Sequence, residues 1–372
     1  MRLLITGDLV VNKPYNPTEQ IDQSLIDLFA QSNINIVNLE APVTDSINKI
    51  LKTGPNIKSH REATQDLFKV LKVDVATLAN NHVFDYDKQG VVDTLNFCYS
   101  IGVKTVGAGI NLNEASQTLY LDTEEGKIAI VNFAENEWAS ATETTAGAHP
   151  MDIIYNTRII KEVKKKANYV IVIVHGGHEY YNLPSPRMQK QYRFYADQGA
   201  DIVIGHHTHC ISGNEVYKGV PIYYSLGNFL FTKNNINDDW YTGLILDVGI
   251  SNNGIRPQLH PVRQQRESFK LSLLKGDVKG EVLARIENFN DIISDNQKLQ
   301  AKWNEYIDKQ SIVYLNYWSP LSFIKNRYIS GLCRKLGINF LNKKGMALFL
   351  NLIRCEAHWD MNKEIIGKYL KK

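Results

Sequence analysis

The chain of 372 residues is long enough for two domains, or for one large α/β domain with an appendage. Its 44% hydrophobic and 22% charged residues are ordinary for a soluble globular protein, and its net charge of +3 is too small to indicate nucleic acid as a partner. No stretch approaches the roughly 18 consecutive apolar residues of a membrane-spanning helix.

Short apolar runs alternate with longer amphipathic stretches from the first residue to about residue 248. The apolar runs predict strands over residues 2–6, 34–39, 74–78, 127–133, 169–174, 200–204, 222–225 and 244–248. The amphipathic stretches predict helices over residues 18–31, 62–72, 90–101, 155–166 and 188–198. This alternation favours an α/β fold with a largely parallel or mixed core sheet.

The region after residue 255 has a different character. Helices are predicted over residues 281–304 and 345–353, and the stretch between them is rich in aromatic and basic residues: Tyr314, Tyr317, Trp318, Lys325, Arg327, Arg334 and Lys335. This mixture is typical either of a helix that contacts a membrane surface or a partner, or of an ordinary helical cap with a solvated basic face. We therefore predict one domain over residues 1–255 and a mostly helical region of unknown role over residues 256–372.

Targeting and redox signals are weak. The four cysteines, Cys98, Cys210, Cys333 and Cys355, form no CxxC pair and no disulfide framework, which favours a reducing compartment. A strand is predicted from residue 2, which leaves no room for a signal peptide. We therefore expect a cytoplasmic protein.

Five of the predicted strands end in residues that can bind metal ions. The side chains at these ends are carboxylates, an amide and imidazoles: Asp8, Glu40, Asn81, His175, His207 and His209. In open α/β sheets the ligand site lies beyond the carboxyl ends of the strands. Each residue alone has another explanation, since Asp8 could cap a helix, Glu40 form an ion pair and Asn81 close a turn. Their repeated placement favours one shared metal site.

The composition of this set suggests the kind of metal. Oxygen and nitrogen donors without thiolate suit Mn²⁺, Fe²⁺ or Zn²⁺ in a reactive site better than a structural zinc. Six side chains are too many for one tetrahedral ion and suit two divalent ions roughly 3.5–4 Å apart. Such a pair activates water and holds the oxygens of a phosphoryl group.

Further polar residues accompany the ligand candidates. His82 directly follows Asn81, and Asp85 could fix the tautomer of His82, which makes the pair a candidate for general acid catalysis. Lys58, His60 and Arg61 could bind an anion or form an ordinary basic surface loop. The candidates for binding substrate or supporting the ligands are Lys58, His60, Arg61, His178, Glu179, His206 and Asn228.

The motifs as a set resemble the CapA family, the capsule and poly-γ-glutamate biosynthesis proteins of the calcineurin-like metallophosphoesterase superfamily. The resemblance covers roughly residues 1–250. It rests on GD at 7–8, NLE at 38–40, LANNHVFDYDKQGVVDTL at 78–95, VGAGINLNEA at 106–115, HGGHEY at 175–180, ADIVIGHHTH at 200–209 and YYSLGNFLF at 223–231.

This resemblance implies a four-layer α/β/β/α metallophosphatase-like sandwich, here with a helical C-terminal appendage. It also implies that the six ligand candidates occupy metal-binding positions, with His82 in the position of the acid. General metallophosphoesterases carry a histidine where this chain has Val10 and an aspartate where it has Glu40. CapA-like proteins share both departures, which put a standard two-metal phosphatase activity in question.

Three functions fit these observations. The first is a metal-dependent hydrolase of a phosphoester in capsule or other surface-polymer biosynthesis. The second is a metal-assisted amide- or acyl-transfer enzyme acting on a γ-glutamyl or glycan substrate, and the third is a non-catalytic, metal-stabilised scaffold of a polymer synthase. The expected partners are an anionic small-molecule or polymer substrate and polymer-synthase components, with peripheral membrane contact through the C-terminal region and without nucleic acid.

Overall fold

The computed structural model describes residues 1–251, 254–324 and 326–370. Lys325, one of the basic residues noted above, lies outside the described residues. The strands are β1 Arg2–Val10, β2 Ile34–Leu39, β3 Val75–Thr77, β4 Lys104–Val106, β5 Ala108–Gly109, β6 Leu119–Thr123, β7 Gly126–Ala134, β8 Gly147–Ala148, β9 Tyr169–His175, β10 Ile202–His206, β11 Asn214–Tyr217, β12 Val220–Tyr223, β13 Asn228–Phe231, β14 Thr242–Ser251, β15 Gly254–Gln264 and β16 Leu271–Leu273.

Two large sheets dominate the fold. The first has the order β16-β15-β14-β1-β2-β3-β4, with β13 pairing in parallel with the end of β1. The strands β1 to β4 run parallel, whereas β14 to β16 pair antiparallel. The second sheet has the order β11-β12-β10-β9-β7-β6, and its central strands β12, β10, β9 and β7 are parallel. Both sheets are therefore mixed with a parallel centre.

Helices precede or connect many of these strands. They are α1 Pro17–Gln20, α2 Gln23–Ala30, α3 Arg61–Val70, α4 Asp87–Ser100, α5 Leu112–Ala115, α6 Ile153–Lys164, α7 Pro186–Asp197, α8 Gly276–Ile293, α9 Asn296–Trp318, α10 Arg327–Lys335, α11 Lys343–Arg354 and α12 Glu356–Leu370, with short 3-10 helices at Asp238–Tyr241 and Pro320–Phe323.

Alternating side chains of the central strands define four layers. In β1, Leu3 and Ile5 face the second sheet, where they pack with residues such as Ile171 of β9. Leu4 points the other way and packs against helices α2 to α4, while Val172 of β9 packs against α6 and α7. Strands that bury both faces must be apolar throughout, as these are. The predicted α/β/β/α sandwich with a helical C-terminal appendage is confirmed.

Two predicted helices are each divided in the structure. The stretch predicted as one helix over residues 18–31 forms α1 and α2, because Asp22 accepts hydrogen bonds from the next turn and starts a new helix. The stretch predicted over residues 281–304 forms α8 and α9. There the Asp295 carboxylate accepts a hydrogen bond of 2.8 Å from the Gln297 amide, which caps a new helix. A capping side chain within an apolar-periodic stretch therefore marks a boundary that periodicity alone does not reveal.

Several strands were not predicted, and the eleven-residue β15 shows why. It carries Pro257 and Pro261, which lack an amide hydrogen and argue against a strand assignment. The structure tolerates them because only residues 262–264 of β15 pair with β16, near the edge of the sheet.

The described chain forms two compact units, Met1–Gln300 and the residues from Ala301 onward. The domain boundary placed after residue 255 by the sequence stays a prediction. Within the described ranges, no helix combines the length and the apolar character needed to cross a bilayer.

Candidate metal centre

The carboxyl ends of four strands from both sheets meet at one place. Asp8 lies near the end of β1, and Glu40 directly follows β2. His175 is the last residue of β9, and His207 and His209 follow β10. Because parallel strands bring their carboxyl ends to the same edge, residues far apart in sequence converge there.

Two groups of three side chains at this edge share one carboxylate. One group is Asp8, Glu40 and His209, the other is Glu40, His175 and His207, and the ligand-type atoms within each group lie within 4.8 Å of one another. His209 Nε2 is 3.7 Å and His175 Nε2 is 3.6 Å from the same oxygen, Glu40 Oε1. Donors about 2.1 Å from a common ion lie about 3–3.4 Å apart, so small adjustments would close each group around an ion.

Glu40 provides the test of whether these residues fit a metal. The side chain is fully buried, and neither carboxylate oxygen has a hydrogen-bond partner. Leaving both oxygens of a buried carboxylate unpaired is costly, and a cation between the two groups would satisfy them. Asn81 adds a further oxygen, with its Oδ1 3.1 Å from His175 Nε2. The donor set therefore fits divalent ions, and the two groups share Glu40.

Burial and mutual charge shift the pKa values of these groups. Burial raises the pKa of Glu40 far above its usual range, and the neighbouring Asp8 carboxylate adds to the effect. Burial also opposes ionisation of Asp8, but the surrounding histidines outweigh it and the pKa of Asp8 is lowered. Burial, assisted by His209, lowers the pKa of His207 to about 3. Neutral imidazoles beside an ionised aspartate are the protonation states that metal binding requires.

The turn that carries the two histidines after β10 is strained. His207 has φ +94° and His209 has φ +55°, a region that non-glycine residues occupy rarely. Such conformations cost about 1–3 kcal/mol each and are held by their surroundings. Here the Thr208 hydroxyl bonds the Ser225 hydroxyl at 2.9 Å, and the Thr208 carbonyl accepts the Tyr180 amide at 2.8 Å. The strain turns both imidazoles toward the site.

The candidate acid His82 lies at the rim of the same site with little solvent exposure. Its Nδ1 is 2.7 Å from Asp85 Oδ2, and the fully buried Asp85 also pairs with Lys52. Because a carboxylate can only accept, Nδ1 donates its hydrogen and the ring is held in one orientation. Burial lowers the pKa of His82, although Asp85 partly counteracts this effect.

Two predicted supporting residues contact the ligand candidates directly. His206 is buried with Nδ1 3.5 Å from Asp8 Oδ1, and neither of its ring nitrogens has a hydrogen-bond partner. Asn228 Oδ1 lies 2.9 Å from His209 Nδ1, while its amide nitrogen donates to the Trp240 carbonyl. Asn228 thus orients the His209 ring.

The other predicted residues lie further out. Lys58 donates to the Ser46 carbonyl at 3.0 Å, His60 caps α3, and Arg61 Nε is 3.8 Å from Asp45. These contacts involve residues other than the ligand candidates, and the anion-binding role of the three stays a prediction.

His178 and Glu179 follow β9 beside the site. His178 is half-buried, and burial lowers its pKa. Glu179 is exposed and its charge raises the pKa of Glu40. The structure thus brings the six ligand candidates together with His82 and Asp85, and the roles assigned to all these residues stay predictions.

Several residues around the site were not singled out from the sequence. Asn38 donates a 2.6 Å hydrogen bond to Asp8 Oδ1 and could have been found as the first residue of the NLE motif. No sequence pattern pointed to Lys52 or Glu137 as site residues, because both lie outside the motifs. Glu137 Oε1 is 3.9 Å from His207 Nε2. Trp240 and Phe231 form an aromatic wall beside His209, with ring centroids 4.9 and 5.8 Å away.

A sandwich of two sheets with a buried cluster of histidines and carboxylates at its strand ends defines the class of this chain: α/β/β/α proteins whose clustered side chains could hold metal ions. Within that class, residues 2–233 match the family described as "Bacterial capsule synthesis protein PGA_cap". The chain belongs to this family, and the predicted resemblance to CapA proteins is confirmed.

Two similar curated proteins carry CapA names. The PGA biosynthesis protein CapA of Bacillus subtilis (strain 168) is 36% identical over 219 residues, covering 58% of this chain and 57% of that protein. The capsule biosynthesis protein CapA of Bacillus anthracis is 34% identical over 206 residues, covering 53% and 50%. The chain thus spans about half the length of the curated relatives that it matches. Among solved structures, a phosphatase of Mycoplasma pneumoniae is similar at a TM-score of 0.42 and 12% identity, covering 72% of this chain and 95% of that one.

Proposed function

We propose that the chain is a metal-dependent hydrolase that cleaves a phosphoester during the biosynthesis of a capsule or another surface polymer. The observation that carries the proposal is the pair of three-residue groups that share the buried, unpartnered Glu40. The family description, which names capsule synthesis, supports the biological setting.

Two divalent ions, of Mn, Fe or Zn, would be held by Asp8, Glu40 and His209 on one side and by Glu40, His175 and His207 on the other. When bound, such ions supply a nucleophilic water and charge stabilisation for a phosphoryl group. The chain's own contribution is to exclude bulk water: all five residues are at most 5% exposed.

His82 would manage the proton of the leaving group. Its Nδ1 is committed to Asp85, which leaves Nε2 to exchange a proton with the substrate. Its lowered pKa keeps the free ring neutral at pH 7, and the negative charge of a bound phosphate would raise that pKa. A general acid of this kind contributes about 10²–10⁴-fold to the rate.

Hydrolysis of an aryl phosphate with added Mn²⁺ tests this proposal. We expect Glu40→Gln to remove both metal and activity, and His82→Gln to retain the metal while lowering kcat by about 10²–10⁴-fold. Glu143→Gln, the same substitution at an exposed carboxylate, serves as the matched control and should change neither.

Metal content decides between the outcomes. Fewer than about half a metal ion per chain by elemental analysis would reject both enzyme proposals, given that the proposed centre holds two. Full metal occupancy without activity on any phosphoester would favour the scaffold or the amide chemistry described next.

A second candidate is metal-assisted amide or acyl transfer on a γ-glutamyl or glycan substrate. One observation favours it: the Bacillus subtilis relative is named for PGA biosynthesis, and poly-γ-glutamate is joined by amide bonds. Release of amine from a γ-glutamyl oligomer, lost in Glu40→Gln, would support this candidate over the first.

A further inference from the structure

The C-terminal unit differs sharply in charge from the remainder of the chain. Residues 301–372 contain 13 lysines and arginines and 5 acidic residues, whereas the first 300 residues contain 29 and 34. Residues 309–355 contain eight basic residues and no aspartate or glutamate. A positive charge concentrated in this way attracts an anionic surface.

Helix α10 presents apolar side chains to solvent. Tyr328 is 78% exposed, Leu332 59% and Leu336, directly after the helix, 64%. At 100° per residue these three positions form one stripe, while Arg327 and Arg334 lie on the opposite side. The buried residue of this helix is Ser330, which does not belong to the stripe. The helix therefore turns its apolar face outward, the reverse of a helix that covers a core.

Helix α11 also exposes apolar side chains, on more than one side. No residue of this twelve-residue helix is buried, although its sequence KKGMALFLNLIR is largely apolar. Leu348 is 59% exposed, Leu350 52% and Ile353 50%, and the helix begins with Lys343 and Lys344. At 100° per residue Leu350 and Ile353 lie about 60° apart on one side of the helix, whereas Leu348 lies on the opposite side. Exposed apolar side chains on a helix of this kind mark an interaction site.

We propose that α10 and α11 form a surface that binds anionic lipid bilayers peripherally. The occupant is identified by its chemistry, because a bilayer interface offers both negative head groups and an apolar layer within reach of Leu332 and Leu350. A second copy of this unit would bring equal positive charges together and is disfavoured.

The lengths of the helices define the binding mode. With 9 and 12 residues they are about 14 and 18 Å long, well below the roughly 30 Å of the hydrocarbon core. They therefore lie in the plane of the interface, with apolar side chains among the acyl chains and basic side chains at the head groups.

Vesicle co-sedimentation of the full chain tests this inference. We expect binding to vesicles of mixed phosphatidylglycerol and phosphatidylcholine that is at least about tenfold tighter than binding to phosphatidylcholine alone. It should weaken when salt is raised from about 0.1 M to about 1 M, because the Debye length falls from about 10 to about 3 Å. The variant Leu332→Glu/Leu350→Glu should lose binding at either salt concentration.

The matched control places the same number of charges on exposed apolar residues of the other unit. Tyr99→Glu/Val216→Glu should bind vesicles like the wild type, since these residues are 86% and 70% exposed and lie outside the C-terminal unit. Absence of vesicle binding by the wild-type chain would overturn the proposal. An equal loss of vesicle binding in both double variants would also overturn it. So would a wild-type chain that binds no vesicles but forms a dimer, if that dimer dissociates in Leu332→Glu/Leu350→Glu.

Discussion

Lys52 shows how a single residue supports the site without belonging to a motif. Its side chain is 3% exposed and pairs with the fully buried Asp85, with Nζ 3.2 Å from His82 Nδ1. Asp85 also accepts the Ile57 amide at 2.7 Å, so one carboxylate fixes both the His82 ring and the loop that carries Lys52. The ammonium compensates a charge that would otherwise be buried alone.

Replacing Lys52 should therefore destabilise the folded chain. We expect Lys52→Met to lower the free energy of unfolding by about 3–5 kcal/mol, because it leaves Asp85 buried without its counter-charge. Denaturant titration measures the loss, and the double variant Lys52→Met/Asp85→Asn should recover part of it. Lys58→Met is the matched control: that ammonium donates to the Ser46 carbonyl and lies over the Tyr86 ring, contacts worth about 1–2 kcal/mol whose loss leaves no buried carboxylate without a counter-charge. Equal losses in both lysine variants would contradict this account.

At the scale of elements, one demanding contact is the close approach of β1 to the segment before β13. A Cβ on Gly7 would lie 2.0 Å from the carbonyl oxygen of Gly227. The same segment accepts the Asp8 amide at 2.9 Å, so the approach fixes the position of the first ligand candidate. Only glycine at position 7 permits this geometry.

Gly7→Ala should consequently damage both stability and the site. We expect the free energy of unfolding to fall by at least about 3 kcal/mol, since backbone must move to admit the methyl group. Mn²⁺ affinity, measured by calorimetry, should fall with it because Asp8 shifts. Gly280→Ala makes the matched control: nothing lies within 4 Å of its Cβ position in α8, and alanine there should stabilise the chain by up to about 1 kcal/mol. A Gly7→Ala chain as stable as the wild type would contradict the argument.

The elements also show which strands and site residues could be predicted from the sequence. Long apolar strands such as β9 were predictable because both faces are buried and the run is uninterrupted. The ligand candidates were predictable for a related reason, since Asp8 or His175 at a strand end has a fixed direction. Lys52 was not, because it reaches Asp85 from a loop whose path depends on tertiary contacts. The strand β15 was hidden by its prolines, which only the pairing geometry accommodates.

At the scale of the whole molecule, burial of the candidate metal centre without a cation lowers the free energy of unfolding. Glu40 and Asp8 are fully buried in one cluster, and the two Glu40 oxygens have no hydrogen-bond partner. The pKa of Glu40 is raised by burial, so folding without metal either protonates it or buries its charge. The unfolded chain has no such cluster, so we expect it to bind metal weakly.

Metal should therefore stabilise the folded chain by linkage. At a Mn²⁺ concentration about 100 times its Kd, we expect the free energy of unfolding to exceed that of the EDTA-treated chain by about 3 kcal/mol. Denaturant titrations with and without Mn²⁺ measure this difference directly.

The variant Glu40→Gln separates two effects on the free energy of unfolding: the loss caused by the buried carboxylate and the increase caused by bound metal. In EDTA this variant should be at least as stable as the wild type, because the amide removes a buried ionisable group that has no partner. Added Mn²⁺ should raise the free energy of unfolding of Glu40→Gln only slightly. It should raise that of the exposed control Glu143→Gln as much as that of the wild type. The opposite pattern, a less stable Glu40→Gln chain in EDTA with an unchanged Mn²⁺ gain, would mean that Glu40 stabilises the fold by itself and holds no metal.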